Sequence, residues 1–202
     1  MLNALATFKA SISEARAQSV LHQYLSQQLV VPVPFDDLLR GQIVVSVAAF
    51  DKLMHDVIRI GMCASYAGTR LKTPKFRSES ISLQLHGDLV LATVPPKEFL
   101  FERAIVAKLS YLSFQHPDKI ADGLGLIWDA GHKWQLIETE MGLSGGVVST
   151  RMKLIASRRN AIVHESDMDP LTNAKTAITP AESDDVTGFI EAVGEAIVRL
   201  TH

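Results

Sequence analysis

From Asn3 to Val31 the chain contains neither glycine nor proline, and Pro32 and Pro34 then interrupt it. A proline lacks the amide donor of a helical turn and crowds the residue before it, so an Ala-, Gln- and Leu-rich run of this kind reads as one long helix ending near Val31. Asp36 or Asp37 is placed to cap a second helix reaching about Met62. Along it Leu39, Ile43, Val47, Phe50, Leu53, Met54, Val57 and Ile58 recur at three- and four-residue steps, with Gly61 as the expected terminator. So broad an apolar stripe suits a helix near the middle of a bundle.

Residues 64–97 break this rhythm. Gly68, Pro74, Gly87 and the Pro95-Pro96 pair punctuate them, and Ile81, Leu83 and Leu85 alternate with polar residues. The segment reads as a long loop or short extended insertion, of a length that in compact domains often carries function. Helical pattern resumes over 97–115, from Asp118 toward Ala130, over 131–141, from Val147 to about Glu165 and from Pro180 to Leu200. The expected architecture is an all-α, single-domain helical bundle over residues 1–202.

Composition narrows the classes further. With 47% hydrophobic residues in 202, the chain can build a sizeable core unaided. A single cysteine, Cys63, excludes an internal disulfide scaffold and any multi-cysteine zinc site. Met1 to Ala10 reads as the start of an amphipathic helix rather than a signal peptide, and no apolar run has the length of a membrane span. A soluble, cytoplasmic protein with no membrane association is expected. The formal net charge of -2 rules out a generally basic nucleic-acid coat, but the charge is unevenly placed. Val57–Ser78 holds five basic residues and no acid, Met141–His164 four and no acid, and the acids gather after His164. Two such basic segments are either solvated faces or local grips for a phosphate chain.

The second basic segment contains Arg158-Arg159-Asn160-Ala161-Ile162-Val163-His164. At 100° per residue Val148, Met152, Ile155 and Ile162 form one stripe, and Arg159 falls inside it. A guanidinium stays charged and is costly to bury alone, so Arg159 must meet an anion: a carboxylate of this chain, with Asp51 and Asp56 as the nearest guesses, or an anionic ligand. Asn160 and His164 share another face. Arg159 and His164 diverge by roughly 140° on an ideal helix, so they converge on one atom only if the helix distorts or two chains complete each other's sites. Such a set suits RNA cleavage by the RNA's own 2′-hydroxyl. A histidine near its ordinary pKa of about 6.5 exchanges protons at neutral pH, and arginine stabilises the charge of a pentacoordinate phosphate. The bare Arg…His spacing is not specific, since Arg16 and His22 also satisfy it. The Arg-Asn pair, apolar spacer, His-Glu and acidic loop are more so.

The stretch Ser157-Arg-Arg-Asn-Ala-Ile-Val-His-Glu-Ser-Asp-Met-Asp-Pro170 resembles the signature of the HEPN superfamily (higher eukaryotes and prokaryotes nucleotide-binding), RiboL-PSP type. Ser46–Asp56, Leu112–Ile120 and Lys133-Trp134 extend the resemblance to about residues 36–200. It implies a helical bundle that dimerises, the motif of each chain lining a shared cleft, and a metal-independent endoribonuclease leaving 2′,3′-cyclic phosphate ends in a toxin or antiviral-defence role. Carried over, Arg159 and His164 are the implied catalytic pair with Asn160 beside them; no metal or other cofactor is called for. RNA, a second copy of the chain and an antitoxin or defence-system protein are the implied partners. One departure matters: Ser166 stands where members silenced by nucleotidylation carry a tyrosine, which speaks against that control here.

Arg158, Lys153 and Arg151 are candidates for holding the RNA backbone. Asp51, His55 and Arg59, spaced i, i+4, i+8, read better as a polar strip against a loop or subunit than as a proton relay. Cys63, Trp128 and Trp134 read as core or interface residues, and His86, His116 and His132 show no metal-ligand spacing. The rival reading is a non-catalytic HEPN-type dimerisation, interaction or RNA-binding module, with Arg159 an internal ion-pair hub.

Overall fold

In the computed structural model, which describes residues 1–30 and 33–202, the first helix, α1, spans Leu2–Gln28 and buries Ala4, Phe8, Ile12, Ala15 and Ser19 along one side. Its steps of three and four residues are those of a helix with one face on a core. Leu29 is already extended; the expected end at Val31 and the stop at Pro32 lie outside the described residues. Next comes α2, Asp36–Ala67, with Asp36 and Asp37 in its first turn, where they favour the helix dipole. The residue at the N-cap is Phe35, one position ahead of the expected aspartates, and no side chain caps there.

Gly61 does not end α2. A Cβ at that position would lie 2.6 Å from Ile127 Cγ2, so the glycine lets the 125–128 segment press directly on the helix backbone. Termination falls to Gly68, whose φ of +81° is left-handed, a conformation glycine adopts without the Cβ penalty. As its broad stripe predicts, α2 is central, packing against α1 and against four later helices.

Residues 64–97 are neither loop nor extended piece throughout. They contain α3, Pro74–Ser78, and α4, Leu83–Leu91. Thr73 Oγ1 accepts from the Phe76 amide at 3.0 Å, and Ser82 Oγ from the Leu85 amide at 3.1 Å. The alternation over 81–85 therefore straddles a helix start. Ser82 is a cap, and Leu85 and Leu89, four apart, face the core while Leu83 faces solvent.

α5, Lys97–Leu109, ends six residues short of Gln115. The cause is tertiary: Asp51 Oδ1 of α2 accepts from the Phe114 amide at 2.5 Å, and Phe114 is buried at 2% exposure. The chain from Ser110 to His116 is thus drawn across α2 in irregular form before α6, Pro117–Leu124, begins on a proline. α7, Lys133–Glu140, follows.

α8, Val147–His164, matches the expected helix to within a residue, and α9, Pro180–Thr201, opens with a Thr179–Glu182 capping box. Among the described residues there are nine helices and no strand, only an isolated bridge between Met168 and Lys175. The principal core draws side chains from α1, α2, α4 to α9 and the segments between them. A smaller cluster of Leu39, Ile43 and Ile178 with Ile162 sits under the 165–179 loop.

Candidate functional site

The start of α8 is held by a side chain the sequence does not flag. Glu138 of α7, 2% exposed, accepts from the Val148 amide at 2.8 Å and the Gly146 amide at 3.1 Å. A carboxylate on these otherwise orphaned donors suits the positive end of the helix dipole. From that anchor Val148, Met152, Ile155 and Ala156 are buried. The stripe then runs out into a cleft of about 580 Å³, onto which Ala156, Ser157, Arg159 and Asn160 open. The opposite walls come from α3, the end of α5, the 110–116 segment and α6.

Arg159 is half-buried, as its place in the stripe implies. Its Nη1 donates to Asn160 Oδ1 at 3.1 Å, and its Nε is buried with no hydrogen-bond partner. Among the described residues no carboxylate pairs with it. Asp51 is spent on the Phe114 amide; Asp56 pairs with Lys52 at 2.5 Å and with Arg59 at 3.4 Å. Neither internal partner suggested by the sequence is the one, and the anionic ligand is the alternative that stays open. Four cationic side chains line the cleft (Lys75, Lys108, Lys119, Arg159) against two acids (Glu79, Asp122), a surplus of +2 in a chain whose net charge is -2. Lys75 pairs with Asp122 and Lys108 with Glu79, so the surplus resides on Lys119 and Arg159.

His164 is elsewhere. It is the exposed last residue of α8 and does not line the cleft. The helix is continuous to His164, without a distortion that would turn the two side chains together. Within one protomer Arg159 and Asn160 are brought together; His164, one turn beyond Asn160 on the same face of α8, is not brought to Arg159.

The three basic candidates also separate from the cleft. Arg158 Nη2 donates to Asp167 Oδ2 at 2.8 Å, and Arg40 Nε donates to the same oxygen at 2.7 Å. Asp167 is 1% exposed and its other oxygen is buried without a partner. Arg40 also donates to the Thr176 carbonyl at 2.6 Å, and Arg158 to that of Ala177 at 3.3 Å. An ion-pair hub therefore exists, but it joins α2, α8 and the 165–179 loop through Asp167 rather than through Arg159. Arg151 pairs with Asp185 and stacks on Phe189, its Cζ 4.2 Å from the ring centre. Lys153 is exposed and makes no ion pair among the described residues.

The α2 strip behaves as a loop contact. Asp51 takes the Phe114 amide, His55 meets the Phe114 ring edge-on at 4.8 Å, and Arg59 pairs with Glu102 of α5. Burial, followed by the nearby Glu102 carboxylate, pushes the Cys63 thiol pKa up and so disfavours the thiolate. Trp134 packs on the core and donates to the Pro117 carbonyl at 3.1 Å.

Sequence reasoning missed the far wall of the cleft. Tyr111, 89% exposed, stands on it with Lys119 and His116. The His116 Nδ1 accepts from the Asp118 amide at 3.3 Å, which puts the proton of the neutral ring on Nε2. His116 and Lys119 lie in the Leu112–Ile120 stretch that shares the resemblance, but no spacing gives them or Tyr111 a role; the irregular 110–116 crossing brings them opposite α8. The chain matches no known protein-family model, no curated protein and no solved structure.

Proposed function

We propose that this chain is a HEPN-type, metal-independent endoribonuclease, working as a homodimer in a toxin or antiviral-defence setting under the restraint of a partner protein. The observation that carries the reading is Arg159: a half-buried guanidinium without a carboxylate partner among the described residues, opening onto a cleft with surplus positive charge. An internal ion pair does not account for its burial, and a phosphate supplies the missing anion.

In the reaction the RNA 2′-oxygen gives up its proton to the His164 imidazole and attacks the adjacent phosphorus. The bond from phosphorus to the 5′-oxygen breaks, and that oxygen takes up a proton from water. The products are a 2′,3′-cyclic phosphate and a 5′-hydroxyl. Arg159 stabilises the charge gathering on phosphorus, and Asn160 orients Arg159 through the hydrogen bond at 3.1 Å. Because His164 does not line the cleft and leaves α8 on a different side from Arg159, the histidine comes from the second copy, each chain completing the other's site. Lys153, with Arg151 and Arg158 beyond it, extends the basic face along which the RNA backbone runs.

Incubation of the protein and its His164→Ala variant with mixed single-stranded and structured RNA in excess EDTA tests this. Cyclic-phosphate ends from the wild type alone are expected. A second reading, a non-catalytic interaction or RNA-binding module, is favoured by the separation of Arg159 from His164 within one chain. Equal background cleavage from both proteins selects it.

A further inference from the structure

The cleft has two unlike walls. On one, Arg159 brings an unpartnered guanidinium from α8. On the other, Lys119 stands exposed on α6 with no acidic partner among the described residues. The remaining cations of the cleft, Lys75 and Lys108, are each neutralised by a carboxylate. The charge left uncompensated is therefore carried across the cleft, one group per wall, rather than along the basic face of α8. At its mouth Tyr111 holds its ring 89% exposed, an arrangement that neither core packing nor the hydrogen bonds of the fold explain.

A cation on each side and an open aromatic face at the rim are what a single-stranded polynucleotide needs: charge for the backbone and a flat surface for an unstacked base. Duplex RNA has no free base face to offer the ring. A volume of about 580 Å³ is of the size that holds a small-molecule-sized group, such as one nucleotide with its phosphate. His116 Nε2 is a further donor on the same wall.

We propose that the cleft of a single protomer binds single-stranded RNA, with Arg159 and Lys119 gripping phosphate from opposite walls and Tyr111 stacking on an adjacent base. This rests on the nuclease reading for the choice of RNA as the polynucleotide. It does not depend on cleavage, on His164 or on a second copy.

The test is fluorescence anisotropy with a labelled single-stranded 2′-O-methyl oligoribonucleotide, which cannot be cut by its own 2′-oxygen, titrated against the full chain over a range of salt. Lys119→Glu is expected to weaken binding about tenfold or more and to flatten the dependence of log K on log salt by roughly one unit. Tyr111→Ala is expected to weaken it about fivefold or more with the salt dependence unchanged. Lys97→Glu makes the same charge change at an exposed site outside the cleft and is expected to bind as wild type does. All three positions are exposed, so unfolding midpoints stay in place.

Equal effects of Lys119→Glu and Lys97→Glu, no effect of either cleft variant, or no binding by the wild type overturns the proposal. So does equally tight binding of a duplex of the same sequence. Binding that depends on Lys119 and Tyr111, together with no cleavage of unmodified RNA, upholds it and removes the nuclease reading. Cleavage whose KM is unchanged in Lys119→Glu does the reverse.

Discussion

Asp167 holds two guanidinium groups on one oxygen, tying the 165–179 loop to α2 and α8 at once. Removing it leaves Arg40, 5% exposed, charged and short of its main partner. Asp167→Ala is therefore expected to cost about 3–5 kcal/mol, read as a fall in the urea midpoint. Arg159→Gln leaves no carboxylate behind and is expected to change stability far less, by under about 1 kcal/mol. That contrast separates the structural arginine from the one facing the cleft, though they are neighbours in the chain. Acid has its own signature. A hydrogen bond from Lys175 holds the Asp37 carboxyl below its ordinary range, one from Lys9 does so for Glu195, and the Thr172 and Leu171 amides do so for Asp169. A depressed carboxylate contributes stability that is complete at neutral pH and lost as pH falls through and below about 4. Unfolding midpoints measured from pH 7 downward are expected to decline there, and more steeply at low salt. At this scale the sequence was legible in part. The helical period put Arg159 in the apolar stripe correctly, but it could not say that Asp51 would be taken by a backbone amide sixty-three residues away.

Helix ends divide into those set by nearby residues and those set from afar. Thr73, Ser82 and the Thr179–Glu182 box cap within three residues of themselves, and Pro180 and Val147 start helices where a reader of the sequence places them. Gly61 and Gln115 mislead because their environments are supplied by other segments: Ile127 pressing on one, Asp51 drawing the chain away before the other. The start of α8 belongs with these. Its cap is Glu138, on a different helix and outside the spacing of any capping motif. Glu138→Ala is expected to cost about 1–2 kcal/mol and to speed amide exchange at Val148 and the rest of the first turn. Because Arg159 lies three turns further along the same rod, the turn at Ser157–Asn160 is expected to keep its protection, confining the damage to the helix start.

At the scale of the whole molecule the open matter is how many chains make one site. A composite cleft predicts complementation. Arg159→Ala and His164→Ala are each expected to be inactive alone, and refolding them together at equal ratio to recover about a quarter of wild-type cleavage, since half the dimers are mixed and each holds one intact site. No recovery at any ratio counts against a shared site. No helix among the described residues is long and apolar enough to cross a membrane. The sequence by itself determined that this protein is built of helices, the extents of α7, α8 and α9 to within about two residues, the central place of α2 and the half-buried station of Arg159. These follow from spacing along one chain, where 3.6 residues per turn fixes which side chains share a face. Only the tertiary structure decided which carboxylate each arginine meets, that Arg159 meets none among the described residues, and that Tyr111, His116 and Lys119 stand across from it. Periodicity states the direction in which a side chain leaves its own helix; what waits there depends on how the helices pack and where an irregular crossing such as 110–116 is pulled.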